Sequence, residues 1–107
     1  LNFGAEEYYP RVRDMRVDEI RKTYCFDETC RGSVPQALTC FFEGRDFEDT
    51  VRNAVSLGGD ADTLAAIAGS VAEAYFGISD NIKTAARKYL GADLLKIIDA
   101  FEKVKKP

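Results

Sequence analysis

The run GGDADT, residues 58–63, carries the most concentrated set of chemically useful groups in the chain. Two glycines free the backbone for a tight turn, and two carboxylates and a hydroxyl follow at Asp60, Asp62 and Thr63. If Asp60 is the N-cap of a helix, the other two lie in its first turn and all three can reach one point beyond the helix end. Oxygen ligands at this spacing suit a hard cation such as Mg²⁺.

A simpler interpretation of the same run stays open. Asp60 would cap the helix, Asp62 would complement the helix dipole, and Thr63 would have no special role. A calcium-binding EF-hand loop is excluded, because its other ligands and its closing glutamate are absent.

The segment Gly32-Ser33-Val34-Pro35 is the second candidate site. A glycine and a hydroxyl at a helix start can present free backbone N–H groups to phosphate or ribose oxygens. The alternative is a plain serine cap with proline in the first turn. The rings of four residues could stack on adenine, although packing at the core or its edge is the commoner use of such rings: Tyr8, Tyr9, Tyr24 and Phe26.

Composition narrows the chemistry. The chain has no histidine, which excludes Ser-His-Asp and Cys-His machinery within it and most transition-metal sites. The net charge of −3 argues against nucleic acid, and residues 64–78 are too short and too interrupted to cross a membrane. Three unevenly spaced cysteines predict reduced structural thiols in a cytoplasmic protein.

Helical periodicity dominates after an irregular lead-in at residues 1–13, and no strand alternation exceeds four residues. The pattern predicts an all-α fold, an orthogonal multi-helix bundle forming one helical domain over residues 1–107. Residues 14–24 are predicted to form at most a short helix, and residues 26–32 a loop. A helix is predicted over 34–43, and another begins from an N-cap at Asp46. Three more helices are predicted from Asp60 or Ala61 to about Phe76, from a cap at Asp80 to about 90, and from about Ala92 to Val104.

The helix that follows GGDADT is apolar or small on nearly every face, which predicts that it is buried at the centre of the fold. Four aromatic residues fall in helical stripes and are predicted to lie in the core: Phe41, Phe42, Tyr75 and Phe76. The last two helices are predicted to turn their apolar stripes inward. Those stripes include Ile82, Ala85, Ala86 and Tyr89 in one helix, and Leu94, Leu95, Ile97, Ile98 and Phe101 in the other.

From Tyr24 to Gly77, the strings CRGSVPQAL, DFEDTVRNAVSLGGDADTLAAIAG and AEAYFGI resemble the bacterial ADP-ribosylglycohydrolase family, whose founding member reactivates nitrogenase reductase. The resemblance implies an all-α fold with a binuclear Mg²⁺ centre (Mn²⁺ in some members), to which Asp60, Asp62 and Thr63 contribute ligands. It further implies that the ions orient ADP-ribose hydroxyls and help position water for attack at the anomeric carbon. Gly32, Ser33 and Val34 become substrate-contact candidates.

The family pattern also includes an N-terminal half with a threonine followed by paired aspartates. No such motif is present here, because Thr29 precedes Cys30 and Thr50 precedes Val51. We therefore expect this chain to be the C-terminal part of the fold, and to be inactive or nearly so unless a separate chain with the N-terminal half supplies the other ligands. A homodimer is also expected, because the missing half would leave apolar helix surfaces exposed. The partner would be an ADP-ribosylated protein or an ADP-ribose-containing small molecule. The alternative is a non-catalytic helical module that binds ADP-ribose or oligomerises.

Overall fold

The computed structural model describes residues 14–104, and within that range the chain is six α-helices without a strand. They are α1 (Val17–Thr23), α2 (Cys30–Glu43), α3 (Phe47–Ser56), α4 (Ala61–Phe76), α5 (Asp80–Arg87) and α6 (Ala92–Val104). The all-α prediction is confirmed, and the predicted lead-in at 1–13 lies outside the described residues. None of the described helices combines the length and apolar character needed to span a membrane.

The chain divides into two compact units, Leu1–Gly77 and Ile78–Pro107. In the first unit α4 packs on both α2 and α3, and α2 also packs on α1 and α3. Among the described residues, Leu64 of α4 is the largest fully buried side chain, and most of its buried neighbours are small. Small residues let helix backbones approach closely, which suits the packing of α4 against α2 and α3. The core cluster comprises Val17, Ala37, Cys40, Ala54, Leu57, Leu64 and Ala68.

The bounds of α4 match the prediction, and its contacts with α2 and α3 make it central to the first unit. A Cβ on Gly69 would lie 3.6 Å from atoms of both Phe47 and Val51, which shows how closely α3 approaches. The prediction that α4 is buried all round is wrong for the described part of the chain, because Ala66 and Ala74 on its outer face are exposed. Helices cover only one side of α4 there.

The helix α3 begins at its predicted N-cap, Asp46, whose Oδ1 accepts the Asp49 N–H at 2.7 Å. One inner position of α3 is a threonine rather than an apolar residue. Val55 is exposed, whereas Thr50 is fully buried and donates its hydroxyl to the Asp46 carbonyl at 2.9 Å. A threonine can occupy a core position because this local hydrogen bond satisfies its only strongly polar group.

The four aromatic residues predicted as core form a partly exposed cluster instead. Phe42 is 68% exposed and Tyr75 is 75% exposed. The Phe41 ring centroid lies 5.7 Å from that of Tyr75 and 5.8 Å from that of Phe76, so the rings pack on one another. They sit in the last turns of α2 and α4, beyond the last core positions of both helices, which is why helical spacing alone misplaced them.

The second unit contains α5 and α6. Ser79, rather than the predicted Asp80, is the N-cap of α5 and accepts the Ile82 N–H at 3.4 Å. Arg87 and Asp99 join the two helices through a 2.9 Å ion pair. Neither helix has a buried residue, so the predicted inward stripes are wrong for their larger members, among them Leu94, Ile97 and Phe101, which are exposed. Two short helices provide too little apolar surface to enclose a core.

Candidate functional site

Asp60 occupies the N-cap position of α4, as predicted, and its carbonyl accepts the Leu64 N–H at 3.0 Å. Its carboxylate, however, makes no capping hydrogen bond to the helix. An aspartate at an N-cap ordinarily accepts an N–H from the first turn. The simple interpretation of Asp60 as a side-chain cap is therefore wrong, and its oxygens are left for another partner.

That partner is Asp62 in the first turn of the same helix. A hydrogen bond between the Asp60 and Asp62 side chains, and then one from the Thr63 N–H, hold the pKa of Asp62 below its usual value. That N–H reaches Asp62 Oδ1 at 3.0 Å. When both carboxylates are ionised they repel at close range, and a divalent cation between them would relieve the repulsion. Asp60 is half-buried, whereas Asp62 and Thr63 are exposed, so solvent reaches the pair.

The side chains of Asp60, Asp62 and Thr63 offer only oxygen atoms to a ligand. The donor set is all oxygen, which is what a hard cation prefers. Across residues 14–104, however, no three His, Cys, Asp or Glu side chains group in a way that could hold a metal ion. Magnesium prefers a near-ideal octahedron of oxygens. Waters or ligands from another polypeptide segment would have to complete its coordination.

The helix that carries the second candidate segment begins earlier than predicted. It starts at Cys30, with Thr29 as its N-cap. Thr29 Oγ1 accepts the Gly32 N–H at 3.1 Å. Asp27 fixes this cap, since its Oδ1 accepts both the Thr29 N–H at 2.8 Å and the Thr29 hydroxyl at 2.6 Å. Pro35 therefore lies inside the helix, where it has no N–H to donate.

The earlier start of α2 changes what the segment offers a ligand. The Gly32 N–H is already bonded, and Ser33 is buried with its hydroxyl donated to the Thr29 carbonyl at 2.7 Å. Ser33 is thus not the N-cap. Val34 is half-buried and keeps some accessible surface. That Gly32, Ser33 and Val34 contact substrate stays a prediction.

Tyr24, at the end of α1, connects the two candidate segments. Its hydroxyl donates a hydrogen bond to the Gly32 carbonyl, and its ring lies so close to Gly59 that a Cβ there would overlap it. Burial first, and then the negative charges of Asp27 and Asp60, raise the pKa of Tyr24, so the phenol stays protonated and able to donate. The sequence offered stacking or edge packing for this ring, and edge packing is what the structure shows.

Sequence reasoning did not single out Asp27. The spacing Asp27-Glu28-Thr29 is the signal that could have found it, because an aspartate two residues before a threonine can form an Asx turn. The two hydrogen bonds from Thr29 hold the pKa of the Asp27 carboxyl below its usual value. Its role in the structure is to build the start of α2.

Comparison with known proteins places the chain in a family. The family model described as ADP-ribosylglycohydrolase matches residues 3–106. A protein of Archaeoglobus fulgidus described as uncharacterized is 50% identical over 38 residues, which cover 36% of this chain and 12% of that protein. No solved structure matches the chain. Because the family match spans nearly the whole sequence, the chain belongs to the ADP-ribosylglycohydrolase family.

Proposed function

We propose that this chain forms one side of the metal-binding cleft of a Mg²⁺-dependent ADP-ribosylglycohydrolase. Such an enzyme hydrolyses the N- or O-glycosidic bond between ADP-ribose and a modified protein or small acceptor. The observation that carries the proposal is the Asp60 carboxylate, which sits at an N-cap without capping and lies beside Asp62 instead. Thr63 is the third proposed ligand. We expect that Mn²⁺ can occupy the same site in place of Mg²⁺.

The chain's own contribution to the reaction is binding and orientation. Asp60, Asp62 and Thr63 would contribute oxygens at the start of α4, where the two carboxylates offset the partial positive charge of the helix N-terminus. A bound Mg²⁺ supplies a Lewis acid that polarises oxygen ligands and orients hydroxyl groups. Gly32, Ser33 and Val34 are proposed to line the neighbouring sugar side of the cleft.

The same geometry supports the expectation that the chain is inactive by itself. Two carboxylates and one hydroxyl leave most of the coordination positions of a binuclear centre to other groups. A complementing N-terminal half would have to supply them. We expect ADP-ribose release to require that addition.

Metal binding tests the first half of this proposal. Free Mn²⁺ gives a paramagnetic resonance signal that is lost on binding, so titration yields an affinity for the chain. We expect Asp60→Asn and Asp62→Asn to weaken that affinity by more than about tenfold, since even outer-shell partners contribute 10- to 100-fold. Asp93→Asn is the matched control, because Asp93 also lies in the first turn of a helix. Equal affinities in all four proteins would contradict the site.

Activity tests the second half. The gene product that carries this chain is assayed for Mg²⁺-dependent ADP-ribose release from an ADP-ribosylated protein, with and without Asp62→Ala. We expect the substitution to reduce the rate by on the order of 100-fold, through loss of metal. An unchanged rate would show that Asp62 takes no part.

A non-catalytic helical module that binds ADP-ribose or oligomerises is the second candidate. The exposed apolar side chains favour it, because contiguous apolar surface marks interaction sites. Phe42 and Tyr75 in one unit and Ile97 and Phe101 in the other are the main examples. Sedimentation at high protein concentration tests whether the chain oligomerises, since a clean monomer would count against oligomerisation. Calorimetry with ADP-ribose, with and without Mg²⁺, tests ligand binding.

A further inference from the structure

Tyr24 contacts the backbone of two segments that lie far apart in sequence. Its own N–H donates to the Ile20 carbonyl at 3.0 Å and fixes it at the end of α1, and its ring packs against the core. From there the hydroxyl donates to the Gly32 carbonyl in the first turn of α2. The Tyr24 side chain therefore holds the Gly32 carbonyl, which lies in the segment proposed to contact the sugar.

The contact between the Tyr24 ring and Gly59 explains why a glycine precedes Asp60. A Cβ on Gly59 would overlap Cε2 of the Tyr24 ring, would lie 2.8 Å from its Cδ2, and would lie 3.1 Å from the Cys25 carbonyl oxygen. By contrast, a Cβ on Gly58 would meet nothing within 4 Å. The backbone beside the proposed metal ligand thus rests directly on the aromatic ring.

We propose that Tyr24 is a positioning residue, which sets the separation between the Gly32–Val34 segment and the Asp60–Thr63 segment. It contacts neither metal nor substrate in this role. The inference rests on the proposed function for what the two segments bind, and it adds that their binding is coupled through this side chain. Coupling of this kind is reciprocal, so metal should raise the affinity for ADP-ribose and ADP-ribose should raise the affinity for metal.

The functional arm of the test measures this coupling in the full chain. Calorimetry gives the Kd for ADP-ribose with and without saturating Mn²⁺, in the natural chain and in Tyr24→Phe. We expect Tyr24→Phe to keep the Kd for Mn²⁺ alone within about twofold. The enhancement of ADP-ribose affinity by Mn²⁺ should fall about fivefold, which corresponds to one neutral hydrogen bond. Tyr89→Phe is the matched control, because Tyr89 is 90% exposed in the other unit.

A merely structural role for Tyr24 predicts a different result. Tyr24→Phe would then weaken both ligands equally, in step with a lower melting temperature, and the enhancement ratio would stay unchanged. That outcome would overturn the proposal. If the natural chain binds neither ligand, the proposed function fails instead, and the physical connection is judged by a second measurement that needs no ligand.

The second measurement follows backbone amide NMR shifts. Gly59→Ala should push the Tyr24 ring away and so shift the amides of residues 32–34, although they lie far away in sequence. The same Gly59→Ala change in a Tyr24→Leu background should leave residues 32–34 unshifted, because the connection is already lost. Gly69→Ala is the control, since its Cβ would meet only ordinary contacts at 3.6 Å or more. Shifts confined to the Gly59 neighbourhood would overturn the proposal.

Discussion

At the scale of single residues, neighbouring groups decide what each polar side chain can do. Asp46 and Asp60 both occupy N-cap positions, yet only Asp46 accepts an N–H from its helix. The difference matters because a capping carboxylate is already used, whereas the Asp60 carboxylate remains available beside Asp62. The distinction between a cap and a ligand therefore lies in side-chain direction, which residue type and spacing do not specify.

The three cysteines differ in the same way, and this gives a first prediction. Cys40 is fully buried, and burial, with a smaller effect of Glu43, raises the pKa of its thiol to about 12. Cys25 and Cys30 are exposed. Because the thiolate is the reactive form, we expect a disulfide reagent at pH 8 to modify two thiols in the folded chain and the third only after unfolding. Fast reaction of all three without denaturant would contradict the buried position of Cys40.

At the scale of elements, the start of α3 shows how local chemistry fixes a helix. Asp46 accepts the Asp49 N–H, and Asp49 Oδ2 accepts the Arg45 N–H at 3.0 Å in return. This reciprocal arrangement resembles a capping box, and it explains why the sequence located this boundary correctly. The start of α2 was harder to predict, because its cap combines Asp27 and Thr29 ahead of a proline that suggested a later beginning.

The Asp49 carboxylate gives a second prediction, on pH. The Arg45 N–H hydrogen bond holds the pKa of Asp49 below its unfolded value of about 3.9. Its stabilisation is therefore present above that value and is lost as the pH falls through the folded pKa. We expect Asp49→Asn to lower the free energy of unfolding by about 0.5–1 kcal/mol at pH 7, as for loss of a cap, and by much less at pH 2.

Urea unfolding at the two pH values measures this difference. Asp93→Asn, which removes the same charge from the first turn of α6, serves as the control. An Asp49→Asn penalty that is as large at pH 2 as at pH 7 would show that ionisation is not its cause.

Replacing two helical glycines by alanine gives a third prediction, in which the free energy of unfolding changes in opposite directions. Gly69→Ala should raise the free energy of unfolding by about 0.5–1 kcal/mol, because its Cβ would meet Phe47 and Val51 at ordinary contact distance and alanine favours the helix. Gly32→Ala should lower it, because its Cβ would overlap the Asp27 carboxylate that builds the cap. Chemical denaturation of both variants checks the signs. Destabilisation by Gly69→Ala would mean that α3 and α4 pack more tightly than described.

At the scale of the whole molecule, the two units differ in how much they bury. The first unit encloses a core around Leu64, whereas the second has no buried residue in α5 or α6. Isolated helices shorter than about 12–15 residues are marginal in water, so α5 and α6 need packing partners. The presence of an amphipathic pattern thus predicted these helices correctly without predicting what, if anything, covers their apolar faces.

This contrast gives a fourth prediction. A peptide of residues 78–107 should show little helix by circular dichroism at 25 °C, whereas residues 1–77 should unfold cooperatively with temperature. Leu64→Ala in the longer piece should cost about 2–5 kcal/mol, since it leaves a cavity in the core. A strongly helical, monomeric 78–107 peptide would show that the second unit is stable by itself.

The sequence by itself determined the all-α class, the bounds of α4 and α6, the Asp46 cap and the family strings around GGDADT. These follow from periodicity and local capping, which act within a few residues of chain. Only the tertiary structure decided which faces are buried, where α2 begins, and that Tyr24 joins Gly32 to Gly59. Burial and long-range contacts depend on which helices meet, and no local pattern encodes that. The sequence alone proposed Asp60, Asp62 and Thr63 as ligands, and the structure added that the Asp60 carboxylate does not cap its helix.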